Sequence, residues 1–320
     1  MNTLLVGGSG FVGSHLLDVI SASPDFDRGA NVVTVSRRVG RSRSRVEHKS
    51  WDFRSTENLD VEFDEVIFAA TPASDKAGAH ERRRLLDDAL AMVSALIRLC
   101  ERQVRPPRVL FTSSGAVYGS LDPGLGPVAE ETPWAPELLA DSDPYSAGKR
   151  ASERLLWLAA AEGILELRIA RLFAFTGAHL PLDGRFAAGS FIRDAVRGDA
   201  IFVDGDGATV RTYLDGDDLA RWLLEILRHE CDEPSVFNVG SERQISILQL
   251  AEMVSTRGGQ VLQKDLKIVV RGKQEREIRR WYVPSTRKAR ETLGVSETVS
   301  LETSIDRMLE SAMSLPTGLG

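Results

Sequence analysis

Apolar residues along the chain follow two alternating rhythms. Residues 3–6, 66–70 and 109–112 are short apolar runs without polar alternation, further strands are read at 31–36 and 165–172, and a weaker one at 46–51. Between them the apolar positions recur every three to four residues. Val12, Leu16, Val19 and Ile20 do so over 11–20, and Leu85, Leu86, Ala89, Leu90, Val93, Leu96, Ile97 and Cys100 over 80–102. The first pattern predicts strands buried on both faces and the second predicts amphipathic helices. Pro106 and Pro107 stop the second helix, and a third is predicted over 145–162. Doubly buried strands alternating with helices predict an α/β fold, a doubly wound parallel sheet of Rossmann type with helices on both sides.

After Phe173 the rhythm changes, and glycine and proline thicken at Gly177, Pro181, Gly184 and Gly189. Residues 1–175 are therefore read as a dinucleotide-binding domain and 176–320 as a smaller C-terminal α/β substrate domain. Within 213–239 a helix (219–227) and a strand (236–239) follow one another again, so this segment reads as returning to the first domain.

Composition narrows the class. The 320 residues are 42% hydrophobic and 27% charged, ordinary values for a globular protein. A net charge of −6 argues against a general nucleic-acid binder. Two cysteines make no disulfide framework and suit a reducing cytoplasm, where the protein is expected. Cys100 falls on an apolar helix face and reads as buried and inert, and Cys231 has no reactive context. The start lacks a signal-peptide pattern, and no run of 18 apolar residues occurs, so no membrane association is expected. His15, His48, His80, His179 and His229 lie far apart without metal-ligand spacing, so no metal is expected.

Candidate chemistry begins at Gly7, Gly10 and Gly13, directly after the first strand and at the mouth of a helix. A tight turn, a backbone free of Cβ atoms and the open N–H groups of a helix start suit a pyrophosphate. Phe11 and Val12 belong to the same turn, and Ala69 and Ala70 end the fourth strand beside it. The second strand ends in Ser36, Arg37 and Arg38, followed by Arg41, Arg43 and Arg45, with no acid between Asn31 and Val46. Guanidinium groups suit a 2′-phosphate where an acid would hold ribose hydroxyls, which favours NADP over NAD. A solvated basic loop is the plainer reading. Asp52, after the third strand, is a candidate for the adenine, or it starts a turn.

Tyr145 and Lys149 stand four apart on one face of a predicted helix that Asp143 and Pro144 begin. A free tyrosine, with a pKa of about 10, is a poor base at neutral pH. A nearby ammonium favours its phenolate, which can then exchange a proton with a sugar hydroxyl. Ser113 and Ser114 end the fifth strand, where ligands of parallel sheets collect, and a hydroxyl there can bridge tyrosine and substrate.

These segments resemble the extended short-chain dehydrogenase/reductases, the sugar-nucleotide epimerase/dehydratase family. The resemblance rests on VGGSGFVG at 6–13, TSSGAVYG at 112–119, PYSAGK at 144–149 with Glu153, Arg171-Leu-Phe, Gly205-Asp-Gly207, Arg211-Thr-Tyr with Asp217-Asp218, and TRKARETLG at 286–294. It implies that Ser114, Tyr145 and Lys149 are catalytic, that Arg211 meets the substrate phosphates, and that the nucleotide of the substrate sits on the C-terminal domain. It also implies a homodimer through the helices over 80–102 and 145–162. His179 falls near a histidine position of one subgroup and is a candidate substrate contact, or a plain loop histidine. Arg276, Arg279 and Arg280, near Trp281 and Tyr282, are candidates for diphosphate and base, with Arg280 foremost.

Departures from the family are informative. Its 4,6-dehydratases carry an Asp-Glu pair after the catalytic hydroxyl residue, where this chain has Gly115 and Ala116. Its bifunctional epimerase-reductases place a cysteine where Ala116 stands. Ala174 and Thr176 replace the family's usual Asn and Tyr after the sixth strand. What remains is plain hydride transfer. The leading expectation is an NADPH-dependent 4-ketoreductase of a nucleotide-linked 4-keto-6-deoxyhexose; the alternative is a 4-epimerase that keeps its NAD bound. A silent dinucleotide sensor is a third class, disfavoured because both Tyr145 and Lys149 are present.

Overall fold

The computed structural model describes residues 2–23, 31–36, 46–53, 59–71, 79–134, 143–184, 186–272 and 281–314. The first half runs β1 (Asn2–Val6), α1 (Phe11–Ser21), β2 (Asn31–Ser36), β3 (Val46–Ser50), β4 (Glu65–Phe68), α2 (Ala79–Cys100), β5 (Arg108–Ser114), α3 (Pro144–Ala161) and β6 (Glu166–Leu172). There follow β7 (Ala174–Thr176), α4 (Ala187–Arg197), β8 (Ala200–Val203), β9 (Val210–Arg211), β10 (Tyr213–Asp215), α5 (Gly216–Arg228) and β11 (Ser235–Val239). The chain closes with β12 (Ile245–Ser246), α6 (Ile247–Leu262), β13 (Lys267–Val270), β14 (Trp281–Tyr282), α7 (Arg287–Leu293) and α8 (Leu301–Met313).

Seven parallel strands form the main sheet in the order β11-β6-β5-β4-β1-β2-β3. Successive side chains of a strand point to opposite faces, and β1 divides its residues accordingly. Leu4 and Val6 join one core layer with Phe68, Val93, Leu96, Phe111 and Leu156, under α2 and α3. Leu5 joins the other with Leu16, Ile67, Leu110, Trp222 and Leu223, under α1 and α5. Both layers are largely apolar, so β1 and β4 carry little polar alternation, while β6 buries Arg168 and Arg171 among apolar residues. The strand read at 236–239 is β11, paired to β6 from Ser235↔Arg168 to Val239↔Leu172, so the chain does return to the main sheet after the change of rhythm.

The C-terminal segments build a third core. Ile192, Leu250, Val254, Ile305 and Leu309 pack α4, α6 and α8 together beside the small parallel pair β8–β13. The two-residue strands β9, β12 and β14 form a further three-stranded sheet. In it Tyr282 is the Cα partner of Arg211. A serine–glutamine capping box, Ser246 with Gln249, starts α6.

Candidate active site

Strand order reverses beside β1, whose neighbours are β2 on one side and β4 on the other. A crevice at the carboxyl ends of the strands opens at such a point, and the glycine turn occupies it. Gly7 has φ +95°, which an L-residue rarely adopts, and a Cβ there would lie 2.8 Å from the Ala70 backbone nitrogen. A Cβ on Gly13 would strike the Gly7 carbonyl oxygen and the Gly8 Cα. Gly8, which the three-glycine spacing omits, is needed too, because a Cβ there would collide with Thr34 Oγ1. Gly10 donates its N–H to the Gly7 carbonyl at 3.0 Å and precedes Phe11, Val12 and Gly13 in the first turn of α1. That turn carries no acidic residue and no side-chain cap, so its positive end suits a phosphate. These residues fit a dinucleotide: the backbone is bare where a pyrophosphate must approach closely.

Ala69 donates its N–H to the Val6 carbonyl at 2.9 Å, which brings the end of β4 to the turn with Ala70 beside it. Ser36 is the last residue of β2, and Asp52 lies exposed two residues beyond β3. Arg37, Arg38, Arg41, Arg43 and Arg45, on which the NADP expectation rests, lie outside the described residues.

Ser114 ends β5 in extended backbone, and its Oγ accepts the Ala116 N–H at 3.1 Å, starting a short 3₁₀ turn over Gly115–Tyr118. Asp143 caps α3 through the Tyr145 N–H at 3.1 Å, with Pro144 in the first helical position. One helical turn on, Lys149 is buried. Its Nζ donates to the Thr112 carbonyl at 2.7 Å and to Thr71 Oγ1 at 2.9 Å, 4.8 Å from the Phe111 ring centre and 6.0 Å from that of Tyr145. Burial lowers its pKa to about 7, and the Glu153 carboxylate acts in the opposite direction. Glu153 is itself clamped, accepting from Ser113 Oγ at 2.5 Å and from Arg171 at 3.1 and 2.8 Å. The fixed framework under Lys149 is thus a buried ion pair joining α3 to β6. Nothing in the sequence marks Thr71 as a partner of Lys149 except its place just beyond β4.

The wall beside Ser114 comes from far along the chain. A Cβ on Gly115 would lie 2.6 Å from both the Phe173 ring and the Tyr282 hydroxyl. The Phe173 and Tyr282 ring centres are 4.5 Å apart, and the Arg211 guanidinium carbon lies 5.6 Å from the Tyr282 ring centre. Arg211 therefore reaches the wall of the Ser114 site through Tyr282. His179 is held at α1 instead, its Nε2 2.5 Å from Asp18 Oδ2 and its ring edge against His15, so its polar tip is engaged there. Arg276, Arg279 and Arg280 lie outside the described residues.

A glycine-lined crevice at the strand switch point, a Tyr–Lys pair on α3 and a serine at the end of β5 are the parts the family resemblance implies. Residues 3–240 match the NAD dependent epimerase/dehydratase family, and the chain belongs to that family. It is 26% identical over 316 residues to UDP-glucuronic acid decarboxylase 6 of Arabidopsis thaliana, covering 97% of this chain and 88% of that one. It is 25% identical to UDP-glucuronic acid decarboxylase 1 of Danio rerio, over 96% of this chain and 71% of that one. Among solved structures, UDP-glucose 4-epimerase of Thermotoga maritima, bound to UDP-glucose, superposes with a TM-score of 0.79 at 23% identity, over 98% of each chain. UDP-glucuronic acid 4-epimerase of Bacillus cereus, bound to UDP-glucuronic acid and NAD, does so at 0.79 and 20%, over 97% of this chain and 98% of that one. Among the described residues no helix is long and apolar enough to cross a membrane.

Proposed function

We propose that the chain catalyses reversible hydride transfer at C4 of a UDP-linked sugar, and that its net reaction is 4-epimerisation. The carrying observation is the pair Gly115–Ala116 after Ser114, with Phe173 and Tyr282 packed where a side chain on Gly115 would stand. Neither position can supply the acid or base that an elimination needs. The bound nicotinamide supplies the hydride acceptor and donor. Tyr145 takes the proton of the C4 hydroxyl and returns it to the C4 oxygen once the sugar has turned its other face to the hydride donor. Lys149, fixed by Thr112 and Thr71, favours the Tyr145 phenolate whenever it is charged. Ser114 hydrogen-bonds the same sugar oxygen, and Arg211 serves the diphosphate.

A second reading, NADPH-dependent 4-ketoreduction, is favoured by the sequence Ser36-Arg37-Arg38, which follows on from β2 without an acid. The two readings differ in whether cofactor is consumed. A homodimer through α2 and α3 accompanies either, since Trp157 and Leu158 on α3 stay 38% and 44% exposed.

The test incubates the protein with NAD or NADP and UDP-glucose or UDP-glucuronic acid, following products by chromatography and reduced nicotinamide by absorbance. The expected result is the C4 epimer with no net cofactor reduction, and a loss of about 10²- to 10⁴-fold in kcat for Tyr145→Phe. Stoichiometric loss of NADPH with a UDP- or dTDP-4-keto-6-deoxyhexose would replace epimerisation by ketoreduction. Oxidation of a uronic acid at C4 gives a β-keto acid, so carbon dioxide released from UDP-glucuronic acid would replace it by decarboxylation.

A further inference from the structure

Tyr282 is a second phenol beside the catalytic serine. Its Oη lies 3.5 Å from Ser114 Oγ, where either hydroxyl can donate, and 3.4 Å from the Leu172 carbonyl oxygen, which can only accept. Both contacts are long, as active-site hydrogen bonds often are before substrate binds. The tyrosine is held from three sides. Its backbone is in register with Arg211, its ring is tilted 37° against Phe173, and the Arg211 guanidinium lies near its ring. Gly115 leaves room for the hydroxyl, since a Cβ there would be 2.6 Å from Oη.

The donor count then limits where the Ser114 proton can go. A serine hydroxyl has one proton and two lone pairs. In the reaction proposed above, the C4 oxygen gives its own proton to Tyr145 and, as alkoxide or carbonyl, needs a donor from Ser114. One Ser114 lone pair is already taken by the Ala116 N–H. We propose that Tyr282 is a positioning residue whose single O–H, within reach of both the Leu172 carbonyl and Ser114 in this structure, turns to the other Ser114 lone pair when the sugar binds, leaving the Ser114 proton one direction, toward the C4 oxygen. The inference rests on the hydride-transfer reading, and Tyr282 acts through Ser114.

The test is a double-mutant cycle of Tyr282→Phe and Ser114→Ala in the full chain loaded with NAD. Phenylalanine keeps the ring and its packing on Phe173, so the melting temperature should stay as in the wild type. With UDP-glucose, kcat of Tyr282→Phe falls about three- to tenfold, the scale of one uncharged hydrogen bond. In the Ser114→Ala background the same change costs nothing further. An unchanged kcat, or a loss that adds in full to that of Ser114→Ala, overturns the proposal. Calorimetry supplies a readout apart from turnover. Tyr282→Phe binds UDP as the wild type does and binds UDP-glucose about two- to fivefold more weakly. Equal weakening toward UDP places Tyr282 on the diphosphate and overturns the inference, as does unchanged binding of UDP-glucose. If the wild type binds UDP-glucose without turning it over, the hydride-transfer reading fails, and the binding cycle still decides whether Tyr282 and Ser114 are coupled. Absence of binding to both UDP-glucose and UDP-glucuronic acid overturns both proposals.

Discussion

Lys149 is held where its charge is disfavoured. Its folded-state pKa of about 7 lies below the ordinary 10.5, chiefly through burial. Between those values the unfolded chain binds a proton that the folded chain does not, so this group makes stability rise as pH rises through that window. Below pH 7 the folded protein carries the full cost of a buried ammonium. Lys149→Met should therefore lower kcat by about 10²- to 10⁴-fold and yet stabilise the fold. Its advantage should be largest below about pH 7 and close toward about pH 10. Urea denaturation of both proteins across that range measures it; a stability gap independent of pH would remove the buried charge as the cause. The pair Tyr145–Lys149 was legible in the sequence because both residues sit on one helix, four apart. Tyr282 was visible only as an aromatic beside basic residues. Its meeting with Ser114 spans 168 positions and depends on two-residue strands that leave no periodic signal.

At the scale of elements, the glycine turn is a contact between the ends of β1, β4 and α1 rather than a loose loop. Gly13→Ala places a methyl against the Gly7 carbonyl and the Gly8 Cα, both backbone, so neither can give way by rotating a side chain. Overpacking of this kind costs about 1–3 kcal/mol of stability. It should also weaken NAD and NADP together by about tenfold or more, since the backbone that faces the pyrophosphate is displaced. Calorimetric titration with each cofactor checks this. A loss confined to NADP would instead place the effect near the end of β2. The strand and helix order was readable because both faces of the main sheet are covered, which makes β1, β4 and the first part of β5 largely apolar runs, whereas β6 carries the buried Arg168 and Arg171. The ends were less so: β5 continues through Ser113 and Ser114, where polar side chains face the site and the Glu153 carboxylate, and the apolar signal stops before the strand does.

The whole molecule depends on how the C-terminal helices are fastened to the layers that carry Ser114 on β5 and Tyr145 and Lys149 on α3. The start of α5 is the fastening point. Asp215 accepts from Ser304 on α8 at 2.5 Å, and Asp217 meets both His15 on α1 at 2.8 Å and Arg307 on α8 at 3.0 Å. Asp218, wholly buried, accepts the N–H groups of Thr298 and Val299, each at 2.9 Å, and the Thr298 hydroxyl at 2.7 Å. Those residues lead into α8, whose Leu301, Ile305 and Leu309 belong to the C-terminal core. Acidic residues at a helix start are readily read as simple caps, so sequence alone does not distinguish this junction from a surface turn. Asp218→Ala should cost about 3 kcal/mol, because two backbone donors lose their acceptor at once. Urea denaturation reads that loss. The functional consequence is separable from it. Arg211 and Tyr282 come from the C-terminal part, and the glycine turn does not. A looser junction should therefore raise KM for the nucleotide sugar several-fold while leaving NAD affinity within about twofold, a difference well under 1.4 kcal/mol. Equal losses for both ligands would mean that the junction supports the dinucleotide crevice as much as the substrate wall.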